Sequence, residues 1–326
     1  MSEFNLIAQY FTKPTQHTDL SVGDDAALIE LSADMQLAIS ADMLVAGTHF
    51  FHDADAYHVG WKSLAVNISD MAAMGANPKW ATLAIALPEV NHDWLTDFSK
   101  GFFDCAKAFN IDLIGGDTTR GPLTISVQIM GEVPKNKALT RSGAQVDDDI
   151  WVSDPLGLAA LALAHLQQKT AIPVDEITAN LNALHLPQPR VALGLALRNI
   201  ATSCIDISDG LLSEINHILL ASQKKQSLPN LGASVYLDTI PTSASIQKHI
   251  NEAAFQHYLL AGGDDYALCF TANAAAGKQI LALKETLGLA ITKVGKVTAQ
   301  QGIQVLDTAG RHINIDQQGY NHFQNA

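Results

Sequence analysis

The chain has 326 residues, of which 48% are hydrophobic and 6% aromatic, so it can bury a sizeable core divided between two domains. Thirty-three acidic and twenty basic residues give a formal net charge of -13, which argues against a broad contact with nucleic acid or with an anionic membrane surface. An anionic ligand would therefore have to be bound through metal ions.

The cysteines and the N-terminus indicate the compartment. Cys105, Cys204 and Cys269 are far apart and form no C-x-x-C motif, which argues against a disulfide framework or a structural zinc site. The segment MSEFNLIAQYF has an early acid where a signal peptide has basic residues, and the apolar run LGLAALALAHL at 156–166 is shorter than a membrane span. We expect a soluble cytoplasmic protein with no membrane partner.

Strands alternate with helices along the first half of the chain. The patterns predict a strand at 35–45, a helix at 57–74, a strand at 79–88, a helix at 93–109, a short buried strand at 111–114 and a strand at 123–133. The polar segment at 135–149 carries both charge signs and a glycine, so we place the domain boundary within it. The expected domains are 1–138 and 149–326.

The second half continues the alternation. It begins with strand IWVS and a buried helix after DPLG, and further helices are predicted at 174–184 and 188–199. Strand SCIDI, helix GLLSEINHILLAS, strands ASVYLD and YALCF, and a C-terminal set of a helix and strands follow. The whole pattern indicates an α/β protein, and we expect mixed sheets in an α+β arrangement.

Aspartates recur where apolar strands are predicted to end. These residues are Asp24, Asp25, Asp42, Asp117, Asp206, Asp209, Asp264 and Asp265. A single Gly-Asp corner is more often a turn or a helix cap than a site, because Asp favours both positions. Five such corners in one chain favour a functional site, since α/β folds place their sites in loops at strand ends.

The predicted helix at 57–74 carries a polar stripe on an otherwise apolar surface. Ser63, Asn67 and Asp70 share one face because they are spaced at i, i+4 and i+7. If the stripe is buried, Asp70 needs a cation or a metal as partner. The alternative is a solvated strip on a partly exposed helix, and the sequence does not decide between the two.

The candidate ligands are almost all oxygen atoms, which suits magnesium or calcium better than zinc. No calcium loop of the D-x-[DN]-x-[DN]-G type occurs, and Mg²⁺ is usually held by a few carboxylates together with substrate phosphates. The chain has no G-x-x-x-x-G-K-[ST], G-x-G-x-x-G or H-R-D motif, so the phosphates of a nucleotide would be held mostly through metal.

A set of motifs resembles the thiamine-monophosphate kinase family. The motifs are VGDDAAL, ISAD followed by AGTHF, AVNISDMAAMGANP, LIGGDTTRGPL, LTRSGA, IDISDGL and AGGDDYALCF, in this order. The likeness extends from FNLIAQYF near the start to GYNHF near the end. It implies the two-domain fold of the aminoimidazole ribonucleotide synthetase-like superfamily, with an N-terminal domain that pairs two protomers into a homodimer and an active-site cleft completed by the C-terminal domain.

The resemblance also implies a reaction and its residues. The reaction is transfer of the γ-phosphoryl group of ATP to thiamine monophosphate, giving thiamine diphosphate and ADP. Residues that match magnesium-binding positions are Asp25, Ser40, Ala41, Asp42, Asp70, Asp117, Asp206 and Asp209. Residues that match ATP-binding positions are Gly116, Asp117, Arg141 and Ser208. Residues that match positions contacting the thiamine phosphate are His49, Asp264 and Tyr320.

The expected chemistry needs several Mg²⁺ ions but no general base. Two polyanions must approach each other in line, and only cations can offset their repulsion as charge develops. The acceptor phosphate has a second pKa near ~6 and is largely ionised at neutral pH. Arg141 would carry part of the transition-state charge, whereas Arg120 is better explained as a surface residue. Dependence on a monovalent cation is left open.

Two positions depart from the family pattern. Asp264 stands where Glu is usual, which shortens the reach toward the substrate by one methylene group. Ala41 replaces a frequent Thr, which is harmless only if the backbone carbonyl binds the metal. Two other interpretations remain: a sister enzyme of the superfamily that uses another acceptor, and a noncatalytic acidic metal-binding module.

Overall fold

The structure is a computed structural model that describes residues 3–227, 230–307, 309–315 and 319. The chain divides into two compact units, which we describe separately. Unit 1 consists of Met1–Met71 with Ala76–Lys137, and unit 2 of Ala72–Gly75 with Ala138–Ala326. Among the described residues, no helix has the length and apolarity needed to cross a membrane.

Unit 1 contains a four-stranded sheet. Its strands are β1 (Met35–Val45), β2 (Asn77–Leu87), β3 (Asp112–Arg120) and β4 (Thr124–Pro134). In space the order is β1-β4-β2-β3, with β4 antiparallel to both neighbours and β2 parallel to β3. The strands β1 and β3 are therefore the two edges of the sheet, and each has a neighbouring strand of this sheet on one side only.

Three helices accompany the strands of unit 1. They are α1 (Glu3–Leu6), continued by a π-helical turn at Ile7–Phe11, then α2 (Ala56–Ala73) and α3 (His92–Phe109). Asn91 caps the start of α3 by accepting a hydrogen bond from the Trp94 amide at 3.0 Å. Leu95, Phe98 and Phe102 recur at helical spacing on its buried face, which makes α3 an amphipathic crossover between the parallel strands β2 and β3.

Unit 2 contains a seven-stranded sheet. Its strands are β5 (Asp149–Ser153), β6 (Ser203–Asp206), β7 (Gly232–Tyr236), β8 (Leu268–Ala272), β9 (Ile291–Thr298), β10 (Gly302–Leu306) and β11 (His312–Ile313). The order is β11-β10-β7-β9-β5-β8-β6, and only β7 and β10 pair in parallel. Every residue of β5 is buried, since this central strand has side chains packed on both of its faces.

The helices of unit 2 cover both faces of its sheet. They are α4 (Leu158–Leu166), α5 (Val174–His185), α6 (Val191–Leu197), α7 (Leu211–Gln226), α8 (Ala244–Lys248), α9 (Ala253–Ala261) and α10 (Gly277–Leu287). Ile150 and Val152 of β5 enter one hydrophobic cluster with Leu212 of α7, whereas Trp151 enters a second cluster with Ile280 of α10. The two clusters give the sheet a core on each side.

The predicted fold class is confirmed, because both units combine parallel and antiparallel strand pairs in mixed sheets. One predicted element was wrong in length. The short strand expected at 111–114 continues to Arg120, because β2 pairs with it as far as Leu87. The Gly-Gly-Asp segment therefore lies within a strand.

Candidate active site

Two carboxylates meet on unit 1 between the edge strand β1 and helix α2. The hydroxyl of Ser40 donates to Asp70 Oδ2 at 2.6 Å, which ties the strand to the helix. Burial, together with the charge of Asp70, raises the pKa of Asp42 to about 6. These two acids and the hydroxyl lie together in a partly buried position and offer only oxygen donors. A divalent cation bound there would relieve the repulsion between the acids.

The polar stripe of α2 is buried, so its interpretation as a solvated strip was wrong. Ser63 and Asn67 are both fully buried. The Asn67 side chain accepts a hydrogen bond from the Asp42 amide at 3.0 Å and donates to the Ser63 carbonyl at 3.0 Å. These two residues hold α2 against β1, and of the three only Asp70 is left to serve as a ligand.

Ala41 lies between Ser40 and Asp42 on β1, with its side chain on the opposite face of the strand. A hydroxyl at this position would therefore point away from the Asp42–Asp70 pair. The Ala41 carbonyl points opposite to the Asp42 amide, which faces Asn67, so this carbonyl is directed toward β4. The replacement of the frequent Thr therefore removes no side-chain oxygen from the Asp42–Asp70 pair.

The second group of predicted ligands lies in a loop and in the other edge strand. Gly23 has a φ of 122°, which favours glycine, and the Asp25 amide donates to Asp24 Oδ1 at 2.9 Å. Asp24 thus forms the turn that presents Asp25. Together with Gly116 and Asp117 of β3, these loop residues line a cavity of about 730 Å³.

The surroundings of Gly115 and Gly116 in β3 differ in whether they leave room for a side chain. The register of β2 and β3 shifts after Ala81, so Ile114 is an extra residue that forms a bulge just before Gly115. At Gly116 the φ is 149°, and a Cβ atom would overlap the carbonyl oxygen of Leu83. A Cβ at Gly115 would instead meet no atom within 4 Å, so this position keeps the floor of the cavity open.

Buried carboxylates clamp both ends of the loop that carries Asp25. Asp112 accepts hydrogen bonds from the Gln16 amide at 2.9 Å, the His17 amide at 2.6 Å and the Thr18 hydroxyl at 2.9 Å. Glu132 accepts from the Ser32 amide at 2.6 Å and from its hydroxyl at 3.0 Å.

Glu132 also forms an ion pair with Lys79 at 2.6 Å. Burial would raise the pKa of Glu132, but the hydrogen bonds from Lys79 and Ser32 outweigh burial and lower it. Sequence reasoning missed both clamps. Their only signal was an acid within a predicted strand, where an apolar residue is usual.

The two groups of unit 1 lie at opposite edges of its sheet. The register aligns Asp42 with Val127, Leu83 and Gly116 in one row across four strands. Three strand spacings of about 4.8 Å separate the ends of this row by about 14 Å. Asp42 and Asp117 were expected at strand ends, and that expectation was wrong, because each pairs within its strand, with Val127 and with Ala84. They remain accessible because both strands are edges.

Unit 2 brings together the DISDG loop and the GGDDY loop. The Asp264 amide donates to the Ser208 carbonyl and the Tyr266 amide to the Ile207 carbonyl, both at 2.8 Å. Asp264 and Tyr266 have left-handed backbones, with φ of 62° and 49°. Such conformations cost free energy and concentrate at functional sites. The predicted ATP residue Ser208 and the predicted substrate residue Asp264 are therefore neighbours.

Hydrogen bonds orient the side chains of Asp264 and Asp265 in the GGDDY loop. The Tyr266 hydroxyl donates to Asp264 Oδ1 at 2.9 Å, which orients the shortened acid. Asp265 accepts from the Gly157 amide at 2.9 Å, and burial raises the pKa of Asp265 well above its ordinary value. Asp265 is thus a structural neighbour of Asp264, not a second exposed ligand.

Glu214 is a further acid that sequence reasoning missed. It lies on the apolar side of α7, 3% exposed, and accepts from the Asp209 amide at 3.2 Å and the Ser208 hydroxyl at 3.4 Å. Burial raises the pKa of Glu214 to about 7, and the positive charge of Arg141 opposes that rise. Asp206 ends β6 and is buried, Asp209 is half-buried, and Arg141 is exposed.

His49 and Tyr320 are the two remaining residues that were predicted to bind the substrate. The ring of His49 accepts a hydrogen bond from the Val45 amide at 3.0 Å, so one of its nitrogens stabilises the turn after β1. Tyr320 lies outside the described residues. No three His, Cys, Asp or Glu side chains converge as a ready metal site within the part of the chain that the structure describes.

Comparison with known proteins gives matches over almost the full length. Residues 23–133 match the family of the AIR synthase related protein, N-terminal domain. The thiamine-monophosphate kinase of Escherichia coli (strain K12) is 41% identical over 325 residues, which are 98% of each chain.

Solved structures agree with this match. The crystal structure of thiamine-monophosphate kinase from Stenotrophomonas maltophilia K279a is 43% identical, with a TM-score of 0.82 over 93% of this chain and 94% of that chain. AaThiL complexed with AMPPCP and TMP is 27% identical, with a TM-score of 0.75 over 93% and 92% of the two chains.

Proposed function

This chain belongs to the thiamine-monophosphate kinase family, and on that premise we propose that it transfers the γ-phosphoryl group of ATP to thiamine monophosphate, giving thiamine diphosphate and ADP. The observation that carries the proposal is the 41% identity across 98% of both chains. The family expected from the motifs is thereby confirmed. The complex of AaThiL with AMPPCP and TMP supports ATP as the phosphoryl donor.

Magnesium is the metal that the donor atoms fit. Burial and then the charge of Asp70 raise the pKa of Asp42, and the Ser40 hydroxyl donates to Asp70, so these side chains offer hard oxygen donors. The proposed ligands are Asp25, Ser40, Ala41, Asp42, Asp70, Asp117, Asp206 and Asp209. Because Asp42 and the Gly116–Asp117 segment are separated by about 14 Å, more than one ion is needed. Bound Mg²⁺ would neutralise charge between the phosphate groups.

The side chains of this protein mainly bind and orient. We assign Gly116, Arg141 and Ser208 to the nucleotide, with the Arg141 guanidinium carrying charge that develops on the transferred group. His49, Asp264 and Tyr320 are assigned to the acceptor. The hydrogen bond from Tyr266 preorganises Asp264, which offsets part of the reach lost with the shorter side chain.

Proton transfer by a general base has no place in this proposal. The acceptor phosphate has a second pKa of about 6, so its attacking oxygen is already ionised at neutral pH. Direct in-line transfer without a covalent enzyme intermediate then requires only positioning and charge neutralisation.

A homodimer fits the outer face of β1. Ile39 and Met43 are 55% and 57% exposed, and they alternate along the strand with Ser40 and Asp42 on the other face. Exposed large apolar side chains in a row on an edge strand favour pairing with another copy. We further propose a cytoplasmic location, which the three free buried cysteines of the described residues support.

The test is chromatographic detection of thiamine diphosphate. Purified protein is mixed with ATP, magnesium and thiamine monophosphate, and parallel samples contain unphosphorylated thiamine or lack metal. Product from the monophosphate alone, lost without magnesium, is the expected result and would exclude a noncatalytic metal-binding module. If folded protein binds magnesium-ATP but forms no product, the acceptor is wrong and a sister enzyme of the superfamily is the better assignment.

One substitution separates the metal role from folding. Asp117 is exposed and its neutral amide analogue is isosteric, so Asp117→Asn should keep the fold and nearly abolish turnover. Circular dichroism checks the fold and the same chromatographic assay checks the rate. A near-normal rate would remove the metal role assigned to Asp117.

A further inference from the structure

The segment 139–144, with the sequence LTRSGA, is held on the N-terminal side of Arg141 by strand β6. The Cys204 amide of β6 donates a hydrogen bond to the Thr140 carbonyl at 2.9 Å. The Thr140 hydroxyl donates to the Ser142 carbonyl at 2.8 Å, so the turn closes across Arg141. Arg141 itself is exposed. These contacts therefore fix the backbone that carries Arg141, while its side chain extends into solvent.

Helix α7 holds the same segment on the C-terminal side of Arg141. The hydroxyl oxygen of Ser222 accepts hydrogen bonds from the Gly143 amide and from the Ala144 amide, both at 3.0 Å. One turn later, the side chain of Gln226 donates to the Ala144 carbonyl at 2.9 Å. Ser222 and Ala144 are fully buried, so water cannot replace the hydroxyl as the acceptor for the Ala144 amide. The two lone pairs of one hydroxyl oxygen thus satisfy two backbone donors.

The same helix supports the DISDG loop near its N-terminus. Glu214 accepts from the Asp209 amide and from the Ser208 hydroxyl, eight residues before Ser222 on α7. At a rise of 1.5 Å per residue, the two anchors are about 12 Å apart along the helix axis. Burial raises the pKa of Glu214 and the positive charge of Arg141 opposes that rise, so the guanidinium group lies on the Glu214 side of its loop. Helix α7 is therefore a common support for both loops.

We infer that Ser222 is a positioning residue for Arg141, because its two hydrogen bonds to the backbone after Arg141 direct the guanidinium group at the phosphates of the bound nucleotide. The inference rests on the proposed function, since it takes Arg141 as a ligand of the nucleotide. An exposed arginine has many rotamers, and the direction in which its backbone presents the side chain determines where its charge is held. Displacement by about 1 Å is enough to lower binding and rate strongly.

The experiment is a double-mutant cycle that shows whether Ser222 acts through Arg141. Binding of Mg–AMPPCP to the full chain is measured by isothermal titration calorimetry for wild type, Ser222→Ala, Arg141→Ala and the double variant. Ser222→Ala should weaken binding by roughly 3- to 30-fold, which lies within the couplings found between residues of one network. In the Arg141→Ala background the same change should weaken binding by less than about twofold, because the group that it positions is gone.

Gln226→Ala is a second variant, for the case that Ser222→Ala does not fold. It removes the partner of the Ala144 carbonyl and should weaken Mg–AMPPCP by roughly two- to tenfold, again only when Arg141 is present.

The matched control is Ser153→Ala in the same unit. Ser153 is also fully buried, and its hydroxyl oxygen accepts from the Leu268 amide at 2.9 Å. Its loss should lower the thermal unfolding midpoint as Ser222→Ala does, but leave the affinity for Mg–AMPPCP unchanged. The inference is wrong if Ser153→Ala weakens binding as much as Ser222→Ala does. It is equally wrong if the effect of Ser222→Ala or Gln226→Ala is the same with and without Arg141, or if both variants bind as wild type does.

The failure of the proposed function would look different. No acceptor is present in these titrations, so a wrong acceptor leaves the cycle intact and shows only as missing thiamine diphosphate in the assay of wild type. If wild type binds Mg–AMPPCP and Arg141→Ala binds it equally well, the assignment of Arg141 to the nucleotide is wrong, and the role of Ser222 is refuted with it.

Discussion

Replacing Asp42 by asparagine should make the metal-free protein more stable while it removes a proposed magnesium ligand. The ordinary pKa of an aspartate is 3.8, and burial together with the charge of Asp70 raises that of Asp42 to about 6. The folded state therefore favours the protonated acid. Above about pH 6 the folded chain holds a charge that the unfolded chain solvates better, so the charged carboxylate costs stability there.

The size of the effect follows from the shift. A pKa difference of about 2 units corresponds to about 3 kcal/mol, at 1.36 kcal/mol per unit. The side chain is half-buried, and solvent screening reduces this upper bound, so we expect a gain of about 1–3 kcal/mol for Asp42→Asn at pH 7.5. At pH 4 the folded chain is almost fully protonated at Asp42 while the unfolded chain is only partly protonated, so the gain should fall to about 0.5 kcal/mol or less.

Thermal unfolding in the presence of a chelator measures this prediction. For units of this size, about 1 kcal/mol moves the midpoint by roughly 2–4 °C, so Asp42→Asn should unfold several degrees above wild type at pH 7.5 and within about 2 °C of it at pH 4. Added Mg²⁺ should then stabilise wild type more than the variant, because the variant keeps Asp25 and Asp117 but loses the ligand beside Asp70.

The control is Asp97→Asn, an exposed carboxylate on α3, which should change the midpoint by less than about 0.5 kcal/mol at either pH. A variant that is no more stable than wild type at pH 7.5, or a gain that is as large at pH 4 as at pH 7.5, would refute the reasoning from burial and like-charge repulsion.

Three further experiments, with five substitutions among them, test other parts of the two units. Gly115→Ala should fold normally and bind Mg–AMPPCP about tenfold more weakly in calorimetry. Gly116→Ala should instead reduce the yield of folded protein, because its methyl group would overlap a backbone carbonyl of β2. Equal behaviour of the two variants would contradict the cavity geometry. Asp112→Asn should lower the free energy of unfolding in urea by about 1.5–3 kcal/mol and also weaken the binding of Mg–AMPPCP. Asp148→Asn breaks a similar loop clamp in unit 2 and should show only the loss of stability. Equal losses of binding in the two variants would count against a role of Asp112 in positioning the loop. Glu214→Gln should raise the free energy of unfolding by about 1–3 kcal/mol at pH 8.5 and leave it unchanged at pH 4. The reason is that the raised pKa of about 7 makes the charged form costly only at high pH. A change that does not depend on pH would indicate a packing effect instead.

The elements that sequence alone predicted are those with strong local signals. Helix α3 shows an Asn cap, a helical spacing of large apolar residues and a left-handed Asn110 at its end. Helix α2 and strands β1, β2 and β4 follow from the same local periodicities, and the family resemblance follows from motifs in a fixed order. Each of these signals is complete within a dozen or so neighbouring residues.

Sequence also predicted the chemistry of the site but not its geometry. An excess of aspartates with Ser and Thr, without paired His or Cys, indicated magnesium and phosphate before any distance was known. It did not indicate that Asp42 and Asp117 lie at opposite edges of one sheet, because strand order depends on pairing between distant segments.

Tertiary structure decided the rest through burial and long-range pairing. Whether the α2 stripe was solvated depended on β1 packing over Asn67, and the acids Asp112, Glu132 and Glu214 acquired their roles only when distant amides came within reach. The sequence alone does not determine the pKa of a carboxylate or its hydrogen-bond partners. Its solvent and its neighbours determine both, and these are properties of the folded chain alone.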